Sequence, residues 1–269
     1  MTRLYSMAYL TGNGADPVSM ANVAAEAGYD AVSFRLLPAG PGDAVADLIG
    51  DDLLVREVMA TLKGNGLSFF DAEMIRLSET TDLATFVPFL DRIAEMGARH
   101  LLVAVDDTNT TRATQIFGEL CEMLAGLGLT ANLEFMPWTG VRSLPEARRM
   151  VEAVNLPNAA VLFDALHFDR SNSSLDDLAT LPHELINYVQ ICDGPVPYDA
   201  SDAELVRVAR QARLIPGEGG IDFAPIVARL PAGITVSVEV PNRPQAEAMG
   251  LERFIRTALE RTKAVLGEA

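Results

Sequence analysis

The chain has 269 residues, 49% hydrophobic and 22% charged, enough apolar material to bury a large core and too much for a disordered chain. Its formal net charge of −16 opposes long-range attraction to a nucleic-acid backbone or an anionic membrane, so neither is expected as a partner. Cys121 and Cys192 make no disulfide framework, the N-terminal residues pass directly into strand-like sequence, and no stretch reaches membrane-spanning length, so a cytoplasmic location is expected.

Strand-like runs occur at 3–10, 30–36, 67–72, 100–106, 130–135, 160–164, 186–192 and 234–240. Between them lie helical patterns at Pro17–Gly28, Val45–Leu62, Leu83–Met96, Ala113–Leu127, Leu144–Val154, Leu175–Leu181, Ala203–Ala212 and Phe223–Leu230, and Leu251–Leu266 closes the chain. Gly28, Gly66, Gly97 and Gly128 each follow a helical pattern, where a left-handed residue ends a helix, and Asp82 and Thr111 are placed to cap the helices after them. No Pro/Gly/Ser linker divides the sequence. Eight βα units in this length predict a single-domain (β/α)8 barrel over residues 1–269 with an extra C-terminal helix. A doubly wound sheet calls for a Gly-rich phosphate loop after the first strand, and Thr11-Gly-Asn-Gly14 lacks that spacing.

Four metal-compatible side chains, Glu134, Asp164, Gln190 and Glu239, sit near the ends of four different strand-like runs. Burying carboxylates there is costly unless a cation compensates them, which predicts a divalent metal site at the barrel mouth. Three carboxylates and one amide oxygen make a hard donor set suited to Mg²⁺ or Mn²⁺, with Co²⁺ as a substitute. The plain alternatives are that a strand-end carboxylate caps the next helix and that Gln190 links backbone groups.

Leu133-Glu134-Phe-Met-Pro-Trp138, Phe163-Asp164-Ala-Leu-His167, Tyr188-Val-Gln190-Ile-Cys-Asp193, Pro216-Gly-Glu-Gly219 and Val238-Glu239-Val-Pro-Asn242, taken in order, resemble the xylose-isomerase-like barrel superfamily. Its members include sugar isomerases and epimerases, inosose dehydratase and 3-dehydroshikimate dehydratase. The resemblance implies metal-ligand roles for Glu134, Asp164 and Glu239. Its sugar-acting branches more often carry histidine where this chain has Gln190. Gln190, Asp164-x-x-His167 and the Arg210-x-x-Arg213 pair before Pro216-Gly-Glu-Gly219 look more like the 3-dehydroshikimate dehydratase branch. Against that branch, the second strand ends in Arg35, where many relatives have a glutamate.

The expected activity is metal-dependent isomerisation or epimerisation of a sugar or sugar phosphate, the cation stabilising an enediolate while Glu134 and Glu239 move the proton from different sides. The alternative is a 3-dehydroshikimate or inosose dehydratase, with His167 as proton donor. His167 can equally orient Asp164 or the substrate. A non-catalytic barrel that binds carbohydrate is the reading from another class. Arg35, Arg76, Arg170 and Arg243 follow predicted strands two, three, six and eight and are candidates to clamp a substrate anion, each also a candidate surface ion-pair partner; the family motif adds Arg210, which sits in a helical stretch. Trp138 is expected to wall the pocket, and Asp193 to hold a neighbouring side chain. Serine-hydrolase, Walker and zinc-protease signatures are missing from the sequence. The apolar face expected of Leu251–Leu266 is compatible with a homodimer.

Overall fold

The computed structural model describes residues 3–40 and 43–268. Its elements, in chain order, are β1 (Tyr5–Met7), α1 (Pro17–Ala27), β2 (Ala31–Arg35), α2 (Asp52–Asn65), β3 (Ser68–Leu77), α3 (Val87–Glu95), β4 (His100–Val105), α4 (Thr110–Gly126) and β5 (Thr130–Glu134). They continue with α5 (Leu144–Val154), β6 (Ala159–Asp164), α6 (Ala165–Arg170), α7 (Leu175–Ala179), β7 (Ile186–Ile191), α8 (Asp202–Gln211), α9 (Phe223–Val227), β8 (Thr235–Val238), α10 (Arg243–Met249) and α11 (Leu251–Val265). The eight strands are parallel and close in sequence order, β1 pairing with β8, so the expected (β/α)8 barrel is the architecture found. Among the described residues no helix is long and apolar enough to cross a membrane.

Side-chain alternation along the strands decides what faces inward. In β5, Ala131 and Leu133 join the apolar layer between barrel and helices. Asn132 and Glu134 belong to the other face, and both are buried. The same step of two gives Leu162 and Asp164 on β6, Tyr188 and Gln190 on β7, and Ser237 and Glu239 on and just beyond β8. Leu102, Ala104, Leu162 and Tyr188 form an inner apolar cluster, and the polar members lie at or near the C-terminal strand ends, where a (β/α)8 barrel carries its site.

Several boundaries differ from expectation for local reasons. Helix α2 begins at Asp52 rather than Val45, because the Asp51 side chain accepts the N–H groups of Leu53 and Leu54 and so fixes the first turn. Asn109, not Thr111, caps α4, accepting the Arg112 N–H at 3.1 Å. Asp82 does act as a cap, accepting the Ala84 N–H at 3.0 Å, but of a 3-10 turn that precedes α3. Gly28, Gly66, Gly97 and Gly128 all have positive φ, as their positions require. Strand β3 runs to Leu77, five residues past its expected end, which draws Glu73 and Arg76 into the sheet. Two short helices, α6 and α10, stand where none was expected, each started by a strand-top residue: Asp164 accepts the His167 N–H and Asn242 that of Gln245.

Below the strand tops Asp71 is wholly buried, accepting hydrogen bonds from the Ser33 hydroxyl and, at 3.2 Å, from the Tyr188 hydroxyl. Burial pushes its carboxyl up to about 7, against the pull of those two hydroxyls. An unfolded aspartate ionises near 3.9, so between roughly pH 4 and 7 the folded state holds the extra proton, and the stability linked to it is lost as pH rises. Wild type is therefore expected to lose stability relative to Asp71→Asn across that window, as read by urea unfolding at the two ends. A difference that does not change with pH would contradict this assignment.

Candidate metal centre and substrate pocket

The four strand-end residues lie at the C-terminal ends of four successive barrel strands, β5 to β8. Glu134 closes β5, Asp164 closes β6, Gln190 lies one residue from the end of β7 and Glu239 one residue beyond β8. Asp164 and Gln190 are register partners across β6 and β7. Asp164 and Gln190 are fully buried, and Glu134 and Glu239 are 3% exposed. Glu134 and Glu239 line a cavity of about 230 Å³, together with Arg35, Glu73, Arg76, Trp138, His167, Arg210 and Arg213.

Arg213 shapes the electrostatics of this cluster. It follows α8, and its main chain is pinned by a two-way hydrogen-bonded bridge between Asp193 and Leu214. Its buried guanidinium spans two of the acids, one nitrogen on Asp164 and the other 2.7 Å from Glu239 Oε2, while its Nε donates to the Ala209 carbonyl at 2.8 Å. Burial disfavours ionisation of Asp164, but Arg213 and His167 outweigh it and hold the carboxyl below its usual range. Glu134 has no such direct partner. Burial, with the charges of Glu239 and Asp164, drives its carboxyl well above the usual carboxylate range. Burial also carries Glu239 up to about 8 against the pull of Arg213.

His167 lies inside the site, buried, with Nε2 3.5 Å from Glu134 Oε1 and its ring edge-on to Trp138 at 5.1 Å between centroids. Burial lowers its pKa to about 4, so the imidazole is neutral near pH 7. Its Nδ1 has no partner among the described residues, and the same holds for both polar atoms of the Gln190 amide and for Ser237 Oγ, which follows Gln190 by register. Buried polar atoms left without partners cost free energy. Orphaned donors beside mutually repelling carboxylates suit a cation with oxygen ligands. A ligand atom from each of Glu134, Asp164 and His167 lies within 4.8 Å of the others, and Arg213 engages both Asp164 and Glu239. The residues present therefore fit a divalent metal, with Asp164 also capping α6 as the plain reading had it.

The other expected residues divide. Trp138 walls the cavity. Arg35 lines it and pairs with Glu73 at 2.9 Å, and Arg76 lines it while its fork is taken by Asp106. Arg210 reaches it from α8. Arg243 is not brought to the carboxylates: it opens α10, faces solvent and pairs with Glu247 at 2.8 Å, because capping by Asn242 turns the chain outward directly after Glu239. Asp193 holds backbone rather than a side chain. It accepts the N–H groups of Gly194, Gly217, Gly219 and Ile221 at 2.8–3.0 Å and so fixes the Pro216-Gly-Glu-Gly219 turn. A Cβ on Gly219 would collide with the Gly194 carbonyl and the Asp193 carboxylate, which accounts for glycine there.

Two residues absent from the expected site belong to it. Arg213 stood only as a motif member with no assigned role. Glu73 is fully buried on β3, pairing with Arg35 and accepting the Tyr9 N–H at 3.0 Å. Its available signal was Asp71-Ala-Glu73, two acids at spacing two inside an apolar run.

A family model described as xylose isomerase-like TIM barrel matches residues 21–262. Among curated proteins, an inosose isomerase of Bacillus licheniformis is 29% identical over 161 residues, 58% of this chain and 55% of that protein. A 3-dehydroshikimate dehydratase of Pseudomonas aeruginosa is 28% identical over 111 residues, 41% of this chain and 17% of that protein. The chain thus spans about half the length of the inosose isomerase it matches. A solved structure of IOLI protein with a bound zinc atom superposes with a TM-score of 0.81 at 17% identity, covering 98% of both chains, a likeness of fold.

Proposed function

The chain belongs to the xylose isomerase-like TIM barrel family, and on that premise we propose that it is a divalent-metal-dependent enzyme that isomerises or epimerises a small polyhydroxylated carbonyl compound of the sugar class. The observation that carries this reading is the orphaned Gln190 amide at the register position beside Asp164, in a cluster of three buried carboxylates of which Arg213 pairs with only Asp164 and Glu239. Glu134, Asp164, Gln190 and Glu239 would hold the metal, with His167 within reach of the first two. When bound, the metal supplies Lewis-acid polarisation of the substrate carbonyl and offsets negative charge on its oxygens. Mn²⁺ and Mg²⁺ suit the oxygen donors, and zinc, the ion of the IOLI structure, also accepts a histidine.

The chain's own groups supply the rest. Glu134, held near His167 and driven toward its protonated form by burial, is placed to exchange a proton at its carboxyl oxygen. Glu239 approaches from β8 and is kept in one orientation by Arg213, so that a second carboxyl group, in its protonated form, can deliver a proton from another side. Trp138 closes one wall against water. The 230 Å³ cavity is smaller than the roughly 300–1,000 Å³ typical for drug-sized ligands, which suits a molecule of sugar size.

The test is incubation with a panel of ketohexoses, ketohexose phosphates, keto sugar acids and inososes in deuterated water with Mn²⁺. Deuterium is expected at the carbon next to the carbonyl, with no net loss of water and with exchange lost in Glu134→Gln. If the enzyme instead converts 3-dehydroshikimate to an aromatic chromophore, the dehydratase reading replaces this one. Gln190 and the likeness to the Pseudomonas dehydratase favour keeping that arm.

A further inference from the structure

The inner cavity opens into a larger outer chamber of about 610 Å³, and Leu10, Arg35, Asp43, Arg210 and Gln211 line both. Two of these shared residues are arginines with unused donors. Arg35 is only 9% exposed; Glu73 takes one end of its fork and its face rests 5.0 Å over the Tyr9 ring, yet its Nε is buried with no hydrogen-bond partner among the described residues. Arg210 projects over the mouth from the last turn of α8 and makes no ion pair or side-chain hydrogen bond among the described residues. Burial, together with the positive charges of Arg76 and Arg35, lowers its pKa against the pull of Asp43 and Asp106, and Arg35, Arg76 and Arg210 all line the inner cavity. Arg76 is already satisfied by Asp106. Asp43 also lines the junction; it makes no ion pair with either shared arginine among the described residues, and its charge offsets part of their repulsion.

Two like charges with idle N–H groups at one junction are costly until an oxyanion accepts from both. We propose that Arg35 and Arg210 form an anion-binding subsite between the two chambers, so that the substrate is a polyhydroxylated carbonyl compound carrying a carboxylate or a phosphate, its reacting end in the inner cavity and its anionic end at the junction. This deepens the functional reading above and rests on it for which end of the molecule reacts. Arg35 Nε supplies a buried donor, oriented by Glu73 and Tyr9, and Arg210 supplies an exposed one from the last turn of α8. A neutral sugar leaves both idle.

Calorimetric titration of the full chain with D-glycerate, glycerol 3-phosphate and glycerol, each with Mn²⁺ and again with a chelator, tests the assignment. One or both anions are expected to bind at least about tenfold more tightly than glycerol, and to weaken by about tenfold in Arg210→Gln with partial recovery in Arg210→Lys. Arg148→Gln, an equal charge loss on α5, is expected to bind as wild type. Arg35→Gln is expected to match Arg210→Gln, and if its loss of the Glu73 partner unfolds it, Arg210→Gln alone decides. Whichever anion shows the arginine dependence identifies the substrate's charged group. Anion binding no tighter than that of glycerol, or unchanged in Arg210→Gln, overturns the subsite. Anion binding that disappears with the chelator and ignores Arg210 overturns it too, while leaving the metal reading intact. Arginine-dependent binding in a protein that takes up no metal keeps the subsite and sinks the functional reading instead.

Discussion

Glu134→Gln is expected to lower kcat/KM by about a thousandfold and to weaken divalent-metal retention, the largest effect on activity of any single change at the site. Glutamine keeps the size and one oxygen but removes both the charge a cation needs and the proton-exchanging carboxyl, and general acid–base groups are commonly worth about 10² to 10⁴ in rate. Because burial, with the charges of Glu239 and Asp164, already opposes ionisation of Glu134, a neutral glutamine there adds no strain to the metal-free protein. Thermal stability in chelator should therefore hold while activity falls. Steady-state kinetics and a melting curve on the same preparation read both. Activity within a few fold of wild type would contradict the assigned role.

Arg213→Met is expected to produce the largest loss of stability. The guanidinium is 3% exposed and answers two buried carboxylates at once, Asp164 and Glu239. Removing one partner of a buried ion pair commonly costs about 3–5 kcal/mol because the remaining charges stay desolvated. For a chain of this size that corresponds to a fall of roughly 10 °C in Tm. Arg213→Lys is expected to recover little, since a point ammonium cannot span both acids or reach the Ala209 carbonyl as the fork does. Arg243→Met, which loses only an exposed pair with Glu247, should shift stability by about 0.5 kcal/mol or less. Differential scanning calorimetry in chelator compares the three. A wild-type melting temperature in Arg213→Met would mean that the cluster does not depend on its arginine.

The strand rhythm and the four strand-top residues were legible because period-two patterning and an acid at the end of an apolar run are local signals. Glu134, Asp164, Gln190 and Glu239 each announce a strand end without knowledge of any other strand. Long-range pairing was hidden. Arg213 meets Asp164 across 49 residues of sequence, through a turn whose path is set by Asp193 accepting four backbone N–H groups, and no local spacing reports that. Glu73 escaped because β3 was expected to stop at residue 72, although the run continues to Leu77. Arg243 misled for the opposite reason. It follows a strand top closely in sequence, but the cap at Asn242 starts a helix that leaves it on the lining of the outer chamber, paired with Glu247, rather than at the carboxylates. Sequence position placed Arg35, Arg76 and Arg243 after strands and the family motif added Arg210 from a helix; only the fold separates Arg76, already paired with Asp106, from Arg210, which has no ion pair among the described residues.

The central claim is that Glu134, Asp164, Gln190 and Glu239 bind one divalent cation between them, and anomalous diffraction from crystals grown with Mn²⁺ addresses it most directly. The account predicts one anomalous peak at the barrel mouth, bonded to oxygens of the three carboxylates and of the Gln190 amide. Crystals with no peak there, or with the ion bound elsewhere and the Gln190 amide still without a partner, would contradict it.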